Sequence, residues 1–319
     1  MFVVPERMIA ALMSADEAFG AVEAVFAAMA DDAAYNFPVV REALGEGRQY
    51  GFKSGLDRAG GALGVKAGGY FPGNAARGII NHQSTVFLFD PESGVLQAAV
   101  GGNLLTALRT AAASAVSIDR LARQDAKILG MVGAGHQATF QLRAAAKARQ
   151  FDKVIAWNYH PDMLPKLGEV AAELGLPFEA VSLERMVEAD VIVTITSAPA
   201  FSLASAHVSA GTHIACMGTD TVGKQEVEPA LLARASVFTD EVAQSVTLGE
   251  AQHAVGAGLI AATDITPLGA VITGAAEGRT GDDQITLFDG TGVGLQDIAV
   301  AARVVELAKA KGLATEVEL

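Results

Sequence analysis

A short apolar run, Lys127-Ile128-Leu129-Gly130-Met131-Val132, ends in Gly133-Ala134-Gly135 and passes directly into His136-Gln137-Ala138 at the head of a helical stretch. This transition constrains the chain more than any other feature, because a buried strand turning tightly into a helix is how a parallel βαβ unit begins. Gly133 allows the sharp turn, Gly135 lets the backbone come close to a phosphate, and Ala138 is small enough for helix and strand to pack. The free N–H groups of the first helical turn and the positive end of the helix dipole then face an anion. The pattern predicts a dinucleotide pyrophosphate site over Gly133, Ala134, Gly135, His136 and Gln137. A strand-turn-helix without a ligand is the competing reading of the glycines alone.

The residues after the turn support the parallel sheet. Five further strands are predicted at 153–158, 178–181, 190–196, 212–218 and 236–239, separated by helices at about 137–149, 161–174, 183–189 and 227–234. Alternation of short apolar strands with helices is the signature of an α/β fold, here a Rossmann-type doubly wound parallel sheet. The first part of the chain differs. An amphipathic helix starting near Ser14 is followed by glycine-rich alternating segments at 64–70, 83–90 and 95–101, with a hairpin turn at Asp90-Pro91-Glu92-Ser93-Gly94. A helix at about 104–123 leads into the nucleotide-binding part. With 319 residues, more than single cores of roughly 250 to 300 residues usually reach, two domains are expected. They are an α+β substrate and dimerisation domain, 1–118, completed by a C-terminal helix within 295–319, and a nucleotide-binding domain, 119–294. A second glycine turn, Gly290-Thr291-Gly292-Val293-Gly294, lacks a long apolar strand before it and is read as a linker.

The chain is 51% hydrophobic, yet charges interrupt every run short of the roughly 18 apolar residues of a membrane span. Glu6, Arg7, Asp16, Glu17 and Glu23 break the N-terminal stretch at helical spacing, unlike a secretory signal. The one cysteine, Cys216, excludes an internal disulfide and fits a reducing compartment, so a soluble cytoplasmic protein is expected. A net charge of −13 opposes binding to nucleic acid or to an anionic membrane. Against that background, an anionic substrate needs a local concentration of Lys and Arg. No metal site is expected.

In dinucleotide sites the end of the second strand meets the adenosine ribose, where an acid selects NAD and an Arg accepts the extra phosphate of NADP. Here the residues are Trp157-Asn158-Tyr159-His160. The absence of Arg leans towards NAD(H), with Asn158 able to bond a ribose hydroxyl; NADP is not excluded, because the acid is missing too and His160 can approach a phosphate. The ends of the fourth and fifth strands, Thr196-Ser197 and Met217-Gly218-Thr219-Asp220, are placed to face the nicotinamide. Asp220, just past a buried strand end, is the carboxylate best placed for proton transfer, or else a turn residue ahead of Lys224 and Glu226.

The segments Leu105-Thr106-Ala107-Leu108-Arg109-Thr110-Ala111-Ala112, Gly211-Thr212-His213-Ile214 and Gly218-Thr219-Asp220-Thr221-Val222-Gly223-Lys224-Gln225-Glu226, in this order and with the glycine turn between the first two, closely resemble the ornithine cyclodeaminase/mu-crystallin family. The resemblance runs from about residue 35 to the C-terminus. It implies a homodimer that pairs a substrate domain with an NAD(P) domain and moves hydride at the α-carbon of an amino or imino acid. It also implies substrate positions at Arg41, Lys66 and Arg109, an acid/base at Asp220, and a cofactor contact at Thr110. These residue types suit the roles: a planar guanidinium captures a carboxylate in two-point fashion, and a lysine beside a reacting nitrogen stabilises or protonates it.

One departure from the family pattern is informative. Where many relatives carry Met-Pro ahead of the pocket lysine, this chain has Phe52-Lys53. A cation there repels the ammonium of ornithine by about 1 to 4 kcal/mol at a separation of about 4 Å, depending on screening, and attracts a second carboxylate. With His82 and Gln83 in the neighbouring segment, the site is expected to take a small dicarboxylic imino acid, unless Lys53 points to solvent. The chain therefore most resembles the branch of the family that reduces iminosuccinate to L-aspartate with NADH. Alternatives are an alanine dehydrogenase, a cyclic ketimine reductase, ornithine cyclodeaminase itself, or a non-catalytic binding protein of the mu-crystallin type.

Overall fold

The computed structural model describes residues 1–318, and residue 319 of the expected 295–319 segment lies outside the described residues. Two compact units emerge, Met1–Arg109 with the segment from Val293 onward, and Thr110–Gly292. The division falls inside one continuous helix rather than after residue 118, because the chain passes from one unit to the next without a linker.

In chain order the first unit contains β1 (Phe2–Val4), α1 (Glu6–Leu12), α2 (Ala15–Ala30), β2 (Ala34–Asn36), β3 (Val40–Gly45), β4 (Arg48–Asp57), β5 (Ala62–Tyr70), β6 (His82–Phe89), β7 (Leu96–Gly101) and the start of α3 (Asn103–Leu121). Ser14 caps α2, its hydroxyl accepting from the Glu17 N–H at 3.1 Å. The expected hairpin is formed at Asp90, whose side chain accepts from the N–H groups of Glu92 and Ser93. The sheet runs β16-β1-β7-β6-β5-β4-β2, with β3 also paired to β4. It is antiparallel except between β1 and β7. β16 (Thr315–Glu316) follows the long helix α10 (Gly294–Ala310), which packs on β4, β5 and α2. The strands β1 to β4 are additional to those expected.

The second unit contains the rest of α3, then β8 (Ile128–Val132), α4 (Ala138–Ala148), β9 (Lys153–Trp157), α5 (Pro165–Glu173), β10 (Phe178–Ala180), β11 (Val191–Thr194), β12 (His213–Cys216), α6 (Pro229–Leu232), β13 (Ser236–Thr239), α7 (Val242–Leu248), α8 (Ala251–Gly256), β14 (Ile265–Pro267), α9 (Leu268–Thr273) and β15 (Thr286–Asp289). Its sheet is wholly parallel, in the order β10-β9-β8-β11-β12-β15-β13-β14. This is the doubly wound architecture predicted from the alternation of strands and helices.

The segment 290–294 joins the two units, as its reading as a linker has it, but the expectation that no apolar strand precedes it is corrected. β15 precedes it, fully buried between β12 and β13, and Gly294 is the first residue of α10. Four residues flanked by Asp282, Asp283 and a glycine turn carry too little periodicity to signal a strand.

Candidate functional site

In the first unit, register decides which side chains meet. On antiparallel strands, directly opposed residues point to the same face. Arg41 opposes Gly51, Lys53 opposes Lys66, Lys66 opposes Val86, and Gly68 opposes Ser84 two residues beyond His82. Arg41, Lys53, Lys66 and His82 therefore share one face of the sheet. Two of the glycines on that face make room for the head of α10: a Cβ on Gly55 would stand 3.0 Å from the Leu295 side chain, and one on Gly64 3.0 Å from Ile298. In return, a Cβ on Gly294 would stand 2.7 Å from the backbone N of Ser54.

This approach delivers Asp297, in the first turn of α10, into the cations. Its Oδ2 lies 2.7 Å from Lys66 Nζ and its Oδ1 accepts from Arg109 Nε at 3.0 Å, while Gln296 Oε1 accepts from Arg109 Nη1 at 2.9 Å. Asp297 is 0% exposed, and Arg109, Lys66 and Lys53 are 6%, 7% and 8% exposed. Burial pushes the Asp297 carboxyl up, but Arg109 and Lys66 outweigh it and hold its pKa below the usual value. His82 is brought into the same group: burial, then the charges of Lys66 and Arg109, push its pKa down to about 4, with Asp297 opposing and Lys53 adding to the effect. Lys53 is thus buried and senses the cluster, contrary to the alternative that it points to solvent. His82 is neutral at pH 7, so Lys53, Lys66 and Arg109 face Asp297 with positive charge in excess. Such a group suits an anion, and two carboxylates better than one. Gln83 is engaged elsewhere, donating to the Ile80 carbonyl at 2.9 Å and accepting from Asn103 Nδ2 at 3.4 Å.

Asp297 has no place in the set of site residues inferred from sequence. The available signal was an acid in the apolar helix Gly294–Ala310, directly after a glycine turn.

In the second unit, Gly133 has φ +110°, a conformation that L side chains rarely adopt, and a Cβ there would collide with the Ile195 carbonyl. A Cβ on Gly135 would instead enter open space. The backbone N–H groups of Gly135, His136 and Gln137 donate to no acceptor among the described residues, whereas Gly133 and Ala134 donate to the Trp157 carbonyl and to Asn158 Oδ1. Room at Gly135 beside unused donors at the head of α4 fits the pyrophosphate of a dinucleotide. Asn158 holds this loop: its Nδ2 also donates to the His160 carbonyl at 2.8 Å. Tyr159 and His160 are exposed, and no acid or arginine stands there.

The strand ends expected to face the nicotinamide lie side by side, since β11 pairs with β12. Met217 is buried, Gly218 and Thr196 are half-buried, and Ser197 is exposed. Thr110, in α3, is 7% exposed. Asp220 is half-buried, with Oδ1 2.9 Å from Lys224 Nζ and 3.2 Å from the Thr221 hydroxyl. Glu226, six residues further on, is buried and accepts from Thr194 Oγ1 and from the N–H groups of Thr196 and Gly218.

A parallel sheet with a phosphate turn, together with a separate unit carrying a buried cationic cluster, defines a dinucleotide-binding protein built for a small anionic substrate. The chain belongs to the ornithine cyclodeaminase/mu-crystallin family, whose model matches residues 4–312. It is 64% identical to an iminosuccinate reductase of Paracoccus denitrificans, covering all of both chains. The crystal structure of that enzyme in complex with NAD+ superposes with a TM-score of 0.96, covering 100% of this chain and 99% of the other. An archaeal alanine dehydrogenase dimer with bound NAD is 31% identical and has a TM-score of 0.94, over 100% of this chain and 99% of that one.

Proposed function

We propose that the chain is an NADH-dependent imine reductase that converts iminosuccinate to L-aspartate. The observation that carries this reading is the buried group of Lys53, Lys66 and Arg109 around the single carboxylate of Asp297, a balance that favours a substrate with two carboxylates. The 64% identity to an iminosuccinate reductase supports it. Arg109, braced by Asp297 and Gln296, binds the α-carboxylate together with Arg41. Lys53, with neutral His82 as a hydrogen-bonding partner, takes the β-carboxylate. NADH, when bound, supplies the hydride that reduces the C=N carbon.

The chain's own residues manage the nitrogen and its protons. Lys66, paired with Asp297 at 2.7 Å, donates a hydrogen bond to the imine nitrogen and draws electron density from the carbon. Asp220, kept in place by Lys224, supplies the proton that completes the amine, directly or through a water, and accepts it in the reverse direction. Gly135, His136 and Gln137 bind the pyrophosphate through their backbone, and Thr196, Ser197, Met217 and Gly218 border the nicotinamide.

The protein acts in the cytoplasm as a homodimer. Its outward sheet face supports the dimer: Tyr35, Val40, Tyr50 and Phe52 share the side opposite Lys53 and are 38%, 45%, 39% and 41% exposed. Among the described residues no helix is long and apolar enough to cross a membrane.

The test is to mix the protein with NADH, oxaloacetate and ammonia. The reading expects NADH consumption matched by L-aspartate. No NADH consumption there, alongside conversion of ornithine to proline, contradicts it.

A further inference from the structure

Asp220 stands on an excursion of the chain rather than on a strand. The segment leaves the sheet after β12 at Gly218 and returns at Glu226, whose side chain binds the strand ends. In between, Thr221, Val222, Gly223 and Lys224 form a reverse turn, closed by the Lys224 N–H donating to the Thr221 carbonyl at 3.2 Å, with Gly223 at φ +85° in its third position. Packing does not hold this turn. Val222 is 71% exposed, and a Cβ on Gly223 would meet nothing within 4 Å.

Hydrogen bonds from one short helix hold it instead. Ala251 and Ala254 are buried and fix α8 to the hydrophobic core, while Gln252 and His253, both half-buried, reach the excursion. Gln252 Oε1 accepts from the Gly223 N–H at 2.8 Å, and its Nε2 donates to the carbonyls of Gly249 at 2.8 Å and Thr221 at 3.4 Å. His253 Nε2 lies 2.8 Å from the Lys224 carbonyl, and because a carbonyl only accepts, that nitrogen carries a proton. Just ahead of the helix, Glu250 accepts from the Thr219 hydroxyl and from the Glu226 N–H at 2.7 Å. Residues 250, 252 and 253 thus grip the excursion at its start, its turn and its return. Lys224, so fixed, directs Nζ to Asp220 Oδ1 at 2.9 Å and to the Gly218 carbonyl at 3.4 Å.

We propose that Gln252 and His253 are positioning residues for the acid/base: they fix the turn 221–224 and, through Lys224, the place at which Asp220 gives and takes its proton. The inference rests on the proposed acid/base role of Asp220. Proton transfer needs the carboxyl oxygen within hydrogen-bonding distance of the reacting nitrogen, and an exposed turn has that precision only when its backbone is tied to something rigid. The Gln252 amide is suited to the task. Its oxygen meets an N–H and its nitrogen meets two carbonyls, so neither a carboxylate nor a hydrocarbon of similar length replaces it. Both residues act through the backbone of the turn.

The test follows NADH consumption with oxaloacetate and ammonia on the full-length protein and four variants, Gln252→Met, His253→Phe, His253→Gln and Asp220→Asn. Met matches Gln in length but makes none of its hydrogen bonds, and Gln at 253 keeps an N–H donor where the ring N–H stood. The expected result is that Gln252→Met and His253→Phe lower kcat about tenfold, leave the NADH dissociation constant unchanged and raise the solvent deuterium isotope effect on kcat, as the proton step becomes limiting. His253→Gln should retain most of the rate. An unchanged kcat in Gln252→Met and His253→Phe overturns the proposal, and so does a fall in kcat without a rise in the isotope effect, which marks a merely structural role. Should Gln252→Met not fold, the two His253 variants decide by the same criteria. Asp220→Asn separates the two readings. Full turnover in that variant overturns the acid/base role and the positioning role with it, whereas its inactivity beside unimpaired Gln252→Met and His253→Phe overturns the positioning role alone. An unaltered protein that consumes no NADH overturns the proposed function, and this inference with it.

Discussion

Asp297 joins Lys66 and Arg109 into one buried unit, although it stands 188 residues from Arg109 in the chain. Breaking a buried pair by removing one charge leaves the others uncompensated. Asp297→Asn is therefore expected to destabilise the protein by about 3 to 5 kcal/mol in denaturant unfolding, far more than a surface Asp→Asn change. His82 sets a pH response. Its pKa of about 4 in the folded protein lies below the usual 6.5, so between these values the unfolded chain binds more protons than the folded one. Stability rises with pH across that window and is lost as pH falls through it. His82→Gln should lose about 2 kcal/mol less than the unaltered protein between pH 6.5 and 4.5, read from denaturation midpoints. Equal losses would show that His82 is not buried neutral among cations. From sequence, the family resemblance singled out Lys66 and Arg109, and a departure from the family pattern singled out Lys53; the structure buries all three on or beside the face that Asp297 enters. Asp297 was not singled out, because no local pattern reveals a contact made by a helix returning from the far end of the chain.

At the scale of elements, the strands with strong apolar runs or a following helix were readable, and those without were missed. Ser236–Thr239 matches β13 residue for residue, and β8, β9, β11 and β12 fall within the expected segments. β3 and β4 were missed because their sequence, with glycines at 45, 47, 51 and 55 and charges at Arg41, Glu42, Arg48 and Lys53, does not resemble a half-apolar strand. The glycines at 51 and 55, on the face with Lys53, have a structural reason. Gly55 gives room to α10, and a Cβ on Gly51 would collide with the Val40 carbonyl. The same close fit predicts that Gly294→Ala, whose methyl would stand 2.7 Å from the Ser54 amide nitrogen, costs about 1 to 3 kcal/mol of stability and displaces Asp297 from Lys66. Calorimetric unfolding together with activity measures both. A variant of full stability and full activity would show that the α10 contact is looser than described.

For the whole molecule, one unit carries the glycine turn on a parallel sheet that is proposed to hold the dinucleotide, and the other is proposed to select a dicarboxylic imine, in a chain whose net charge of −13 makes its buried cations exceptional. The proposed dimer has a direct check. A carboxylate at the centre of the apolar face, Phe52→Glu, should shift the protein from dimer to monomer in sedimentation velocity, while an unchanged sedimentation coefficient would place the contact elsewhere. The central claim is that the cationic group reads both ends of a dicarboxylate. The most direct measurement is a crystal structure of the protein with NAD+ and L-aspartate bound. The expected result is the α-carboxylate on Arg109 and the β-carboxylate within hydrogen-bonding distance of Lys53 Nζ. A β-carboxylate pointing away from Lys53, with no cation against it, would contradict the claim.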